Sequence, residues 1–121
     1  MYNKTYKGRR LCLLKQRIAI ISDIHGNSLA LEAVLSDISH RGINAIFNLG
    51  DSLYGPLDPL GTFKLLMEHN ITHIMGNCDR MIVDSSDNDS SSTINYVKRS
   101  LTIEALDWLQ QHSRSLIIDD I

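Results

Sequence analysis

Ile18-Ala19-Ile20-Ile21-Ser22-Asp23-Ile24-His25-Gly26-Asn27 passes from an unbroken apolar run to a polar turn within ten residues. Four consecutive apolar residues, mostly β-branched, predict a short strand buried on both faces. The strand ends at Ser22-Asp23. Gly26-Asn27-Ser28 then supplies a turn with a choice of N-cap residues. Leu31, Val34, Leu35 and Ile38 follow at helical spacing until His40-Arg41-Gly42 closes the helix.

The strand, loop and helix recur. Ala45-Ile46-Phe47 predicts a second strand leading to Gly50-Asp51, and Leu60 to His69 a second helix behind a loop holding Pro56 and Pro59. A third strand, Thr72-His73-Ile74-Met75, leads to Gly76-Asn77-Cys78-Asp79. Right-handed crossovers make such strands parallel, which sets Asp23, Asp51 and Asn77 on one sheet edge. Open α/β sheets bind their ligands at that edge. The expected class is therefore α/β, with a βαβαβ start and mainly parallel strands. Further on, Asp84 to Thr93 is dense in Ser, Asp and Asn and reads as a mobile loop. Helices are expected from Ile94 to Ser100 and, capped by Thr102, from Ile103 to Gln111, before Leu116-Ile117-Ile118 begins another strand.

Length and charge narrow the classes. A chain of 121 residues sets a prior of one domain, with room for a core. Lys4, Lys7, Arg9, Arg10, Lys15 and Arg17, half of the 12 basic residues, lie before Ile18, and 1–16 shows neither helical nor strand periodicity, so 1–16 reads as a basic N-terminal extension and 17–121 as the folded domain. The body is then acidic, which argues against a nucleic-acid-binding face. Cys12 and Cys78 form no Cys-x-x-Cys pair, and the apolar run from Leu11 is cut off by Lys15, too short to span a membrane. The expected location is the cytoplasm.

The chemistry lies in the clusters at the strand ends. In an extended segment residues i and i+2 project to the same face, so Asp23 and His25 can share a cation while Ile24 turns into the core. A carboxylate with an imidazole suits Zn, Mn, Fe or Ni better than Ca. Gly50 lets the backbone turn sharply and brings Asp51 beside Asp23. An aspartate between two cations about 3.5–4 Å apart can bridge them, and Asn77 can add an amide oxygen.

Taken in order, Asp23-Ile24-His25, Gly50-Asp51 and Gly76-Asn77-Cys78-Asp79 resemble the calcineurin-like metallophosphoesterase family, in particular its small bacterial phosphodiesterases and phosphatases. That family's pattern runs Asp-x-His, Gly-Asp, Gly-Asn-His-Asp/Glu and then two late histidine motifs. The resemblance implies the first half of an αββα sandwich, and a two-metal site that activates a hydroxide for attack on phosphorus. It implies Asp23, His25 and Asp51 on the first metal, and Asp51 and Asn77 on the second. Catalytic roles fall to Asp51, Asn77, Cys78 and Asp79, the last orienting a neighbour. The implied cofactors are two divalent cations drawn from Mn, Fe, Zn and Ni, and the implied partner is a small phosphate-ester substrate, with nucleic acid entering only as a phosphodiester.

The sequence departs from that pattern twice. Cys78 stands where many relatives have a histidine, and a thiol of reference pKa about 8.5 is a weaker acid than an imidazolium. A preference for aryl phosphates or phosphodiesters is expected. The late histidine motifs are missing, since His112 is the one histidine beyond His73, and His40, His69, His73 and His112 read as helix-end or strand residues. The domain therefore reads as partial and truncated at its C-terminus. One sheet face is expected to lie open, leaving the chain unstable, a homo-oligomer through that face, or a fragment. The alternatives are a non-catalytic metal- or phosphate-binding remnant, and a flavodoxin-like nucleotide-binding or signalling domain, which would leave His25 unexplained.

Overall fold

The computed structural model describes residues 17–86 and 91–118. The basic extension and the last three residues lie outside them, as does part of the predicted Ser/Asp-rich loop. Three strands, β1 (Ile18–Ile21), β2 (Ala45–Asn48) and β3 (Ile71–His73), form one parallel sheet in the order β1-β2-β3. The connections are helices α1 (Ser28–His40) and α2 (Pro59–Met67), so the βαβαβ start is present.

Helix α1 begins where Asn27 caps it, its side chain accepting the N–H of Ala30 at 3.0 Å. Leu31, Leu35 and Ile38 are its buried face, while Val34 is 42% exposed. Asp58 caps α2 by accepting from Gly61, and Pro59 takes the first helical position, where no N–H is needed. The helix therefore starts one residue before the predicted Leu60.

Register assigns the sheet its two faces. Ala19, Ile21, Ile46 and Ile71 pack on the core of Leu31, Leu35, Ile38, Leu53, Phe63 and Leu66. On the other face Ile20, Phe47 and Thr72 lie in one row, and Ile18 and Ile20 are 44% and 59% exposed. Burial of β1 on both faces is thus corrected: among the described residues the sheet carries a coat on one side only.

Downstream of β3 the chain differs from expectation in three places. Helix α3 (Asn77–Asp84) starts inside the cluster that had read as a strand-end loop. Helix α4 (Ser92–Ser100) starts earlier than Ile94, because the Ser91 hydroxyl accepts from the N–H of Ile94 and turns a serine-rich stretch into a cap. Helix α5 (Ile103–Gln110) is capped by Thr102 as predicted. Ile82, Val97, Leu101, Ala105 and Leu109 from these helices continue the same core. Leu116-Ile117-Ile118 is not a strand; Leu116 and Ile117 are 48% and 80% exposed, and among the described residues no neighbouring strand offers them a ladder. Among the described residues no helix is long and apolar enough to cross a membrane.

Candidate metal centre

Beyond the C-terminal ends of β1 and β2 the two chains keep bonding after the regular ladder stops. The N–H groups of Asp23, His25 and Gly26 donate to the carbonyls of Gly50, Asp51 and Ser52 at 3.0, 3.0 and 2.8 Å. Asp23, His25 and Asp51 are the described non-glycine residues with left-handed backbone, at φ 56°, 50° and 58°. The segment around Asp23 is therefore not extended, and the same-face reading of Asp23 and His25 is corrected. The side chains meet because both residues twist into the left-handed region, while Ile24 still packs on the core.

One ligand atom from each of Asp23, His25 and Asp51 lies within 4.8 Å of the others. His25 donates its Nδ1–H to the Tyr54 carbonyl at 2.7 Å, which leaves the lone pair of the neutral ring on Nε2. That Nε2 stands 3.5 Å from Asp23 Oδ1. The other Asp23 oxygen accepts from the Ser22 hydroxyl at 2.6 Å. Gly55 lies so close that a Cβ there would sit 2.1 Å from the His25 carbonyl oxygen.

Asp51 is locked to the start of α3 from both sides. Its Oδ1 accepts the N–H of Cys78 at 2.8 Å, while its own N–H donates to Asp79 Oδ2 at 2.9 Å. Asp79 is 1% exposed, and it also accepts from Ser52 at 3.0 Å and Gly76 at 2.9 Å. One carboxylate thus satisfies three backbone N–H groups, among them the N-cap N–H of its own helix. The approach is tight: a Cβ on Gly76 would stand 2.2 Å from Asp51 Oδ1, and one on Gly50 2.3 Å from Gly76 N. Asp79 is placed to hold the backbone of Asp51. Asn77 opens α3 with its side chain exposed, next to the residue whose N–H holds the Asp51 carboxylate. Burial first, and then Asp51, Asp79 and Asp23, push the Cys78 thiol up, so it stays protonated at neutral pH.

The remaining histidines are engaged elsewhere. His40 and His69 each bond the carbonyl four residues back, at helix ends. His73 and His112 stack at 5.2 Å against Trp108 beneath the sheet edge. His73 Nδ1 meets the amide of Asn48 at 3.0 Å. Asn48 and Tyr54 escaped the sequence reading: the predicted strand ended at Phe47, and Tyr54 contributes only its carbonyl. A polar residue two places before Gly50-Asp51, on a strand end that is otherwise apolar, was the available signal for Asn48.

Two carboxylates and an imidazole with an oriented Nε2 form a donor set suited to a divalent transition metal. Residues 17–118 match the calcineurin-like phosphoesterase superfamily domain. The chain is 35% identical over 113 residues to an uncharacterized protein of Methanocaldococcus jannaschii, a match covering 89% of this chain and 46% of that protein. It resembles the crystal structure of a metallophosphoesterase from Sphaerobacter thermophilus with a TM-score of 0.70 and 32% identity, over 85% of this chain and 44% of that one. The chain spans about half the length of these relatives. With the match extending over most of its length, and the carboxylate–imidazole cluster inside the matched region, the chain belongs to the calcineurin-like phosphoesterase superfamily.

Proposed function

We propose that this chain carries the first half of a phosphoesterase centre that hydrolyses small phosphate esters with two divalent cations drawn from Mn, Fe, Zn and Ni, in the cytoplasm. The observation that carries the reading is the convergence of Asp23, His25 and Asp51, all three in left-handed backbone. Backbone strain of this kind persists only where the surroundings impose it, and it clusters at working sites.

A cation bound there supplies Lewis acidity to water and to the phosphoryl group. The protein's own contributions are separate. Tyr54 orients His25 so that Nε2 faces Asp23. Cys78 N–H takes one lone pair of Asp51 Oδ1 and aims the rest of that carboxylate toward Asp23 and His25. Asp51 and Asn77 would hold a second cation, and the Asn77 NH₂ would be left for a phosphate oxygen. A thiol at Cys78 is a weaker acid toward a leaving oxygen than an imidazolium, which favours aryl phosphates and phosphodiesters.

A binding remnant without catalysis is the second reading, favoured by the engagement of His40, His69, His73 and His112 away from the cluster. Calorimetric titration with Mn²⁺ and an aryl phosphodiesterase assay, each on wild type and on Asp51→Asn, separate the two. Binding with hydrolysis, both weakened in the variant, is the expected result; binding without hydrolysis favours the remnant, and wild type that neither binds Mn²⁺ nor hydrolyses the ester removes the Mn²⁺-dependent phosphoesterase reading.

A further inference from the structure

We propose that Asn48 is a positioning residue of the candidate centre: its buried amide holds the Gly50-Asp51-Ser52 turn in the form that presents the Asp51 carboxylate, with His73 fixing the orientation of that amide. The inference rests on the metal reading above and names a residue that reading does not use.

Asn48 ends β2, is 1% exposed, and has its whole side chain committed. Oδ1 accepts the N–H of Gly50 at 3.1 Å, and Nδ2 donates to the Ser52 hydroxyl at 2.8 Å and to His73 Nδ1 at 3.0 Å. Only one rotation of the amide works. Turned over, its NH₂ would face the Gly50 N–H, donor against donor, and its oxygen would face the lone pair of His73 Nδ1. The neutral His73 ring must therefore carry its proton on Nε2, and its Nδ1 becomes the acceptor that keeps the Asn48 oxygen aimed at Gly50.

The two turn residues that Asn48 touches flank Asp51. Asp51 at φ 58° lies in the left-handed region, which a non-glycine residue keeps only where its neighbours hold it. Of the three N–H groups in the turn, Asn48 takes that of Gly50, and Asp79 takes those of Asp51 and Ser52. The three carbonyls of the same turn accept from Asp23, His25 and Gly26. All six backbone groups of the turn are therefore paired, and a shift on the Asn48 side carries Asp23 and His25 along with Asp51. An apolar side chain at 48 would fill the volume, yet would leave Gly50 N, the Ser52 hydroxyl and His73 Nδ1 without this partner.

The experiment compares wild type, Asn48→Leu and His73→Phe. Two quantities are read below the melting temperature of each variant: Mn²⁺ affinity by calorimetry, and amide hydrogen exchange at residues 50–52, with α1 amides as the internal control. Asn48→Leu is expected to weaken Mn²⁺ binding by ~10–100-fold, the usual loss when an outer partner of a metal ligand is removed. Exchange should quicken at 50–52 but not in α1. His73→Phe keeps an aromatic ring beside Trp108 and His112, and is expected to shift both quantities the same way by less. Wild-type affinity and wild-type exchange in folded Asn48→Leu would overturn the proposal. If that variant does not fold, His73→Phe decides: faster exchange at 50–52 supports the role, and unchanged exchange removes it. Wild type that binds no Mn²⁺ would defeat the metal reading alone, because the exchange comparison would still show whether Asn48 holds the turn.

Discussion

His25 Nδ1 donates to the carbonyl oxygen of Tyr54 at 2.7 Å, and the next residue, Gly55, has no room for a Cβ against the His25 carbonyl. The imidazole is thus oriented by a backbone segment pressed on its own main chain. Gly55→Ala removes no ligand, yet it must push His25 and Tyr54 apart. Mn²⁺ affinity measured by calorimetry is expected to fall by ~10–100-fold in this variant, in line with other losses of a partner that orients a metal-bound histidine. Unchanged affinity would mean that Nε2 keeps its aim without Tyr54.

Gly50 and Gly76 meet where the second and third clusters touch. At Gly50 a side chain would suffer twice, from the positive φ and from the Gly76 backbone. Strain and overpacking together predict a loss of roughly 2–5 kcal/mol for Gly50→Ala in urea unfolding. Gly76→Ala should push on the Asp51 carboxylate, and should lower Mn²⁺ affinity more than its stability loss alone would suggest. A loss below 1 kcal/mol at Gly50, on the order of an ordinary surface change, would show that the contact relaxes freely.

Burial, and secondarily His112, lowers the His73 pKa from 6.5 to about 4, and burial lowers that of His112. Between pH 6.5 and about 4 the unfolded chain therefore binds a proton at His73 that the folded chain refuses. Stability from this residue is present above pH 6.5, drains away as the pH falls, and is lost once the pH passes below about 4. Melting temperatures from pH 7.5 to 4.5 are expected to fall more steeply for wild type than for His73→Phe; parallel curves would contradict the shift.

The face of the sheet that the described residues leave uncoated predicts self-association. Ile20 shares its register row with Phe47 and Thr72 at 59% exposure, so Ile20→Glu removes little packing and sets a charge on the apolar surface. Stability is expected to change by no more than about 0.5–1 kcal/mol. Sedimentation velocity should show the variant closer to monomer than wild type across a concentration series. Identical profiles would place any association elsewhere.

The parallel strands, α1 and α5 were legible because each rests on local signals: apolar runs, helical spacing, and caps at Asn27 and Thr102. Asp23 and Asp51 were legible because they stand at successive strand ends, and His25 was expected beside Asp23, though by an extended geometry that the backbone does not have. Helix α3 was not, because it opens with glycine and asparagine, and its N-terminus is stabilised by a contact from Asp51 far back in the chain. Sequence patterns do not register such a partner. The left-handed conformations of Asp23, His25 and Asp51 were equally hidden, since Asp and His visit that region without announcing it. Leu116 to Ile118 has strand composition, but a strand needs a neighbour, and composition cannot supply one.

Left-handed backbone at all three candidate ligand positions also limits how such a centre could be retuned. Asp, Asn and His are the non-glycine types that enter this region most readily, so conformation and coordination chemistry select the same short side chains. Glutamate would bring the same charge but a longer arm and a poorer fit to the turn. Changes of metal preference, whether by drift or by engineering, are therefore channelled away from Asp23, His25 and Asp51 and into the residues around them.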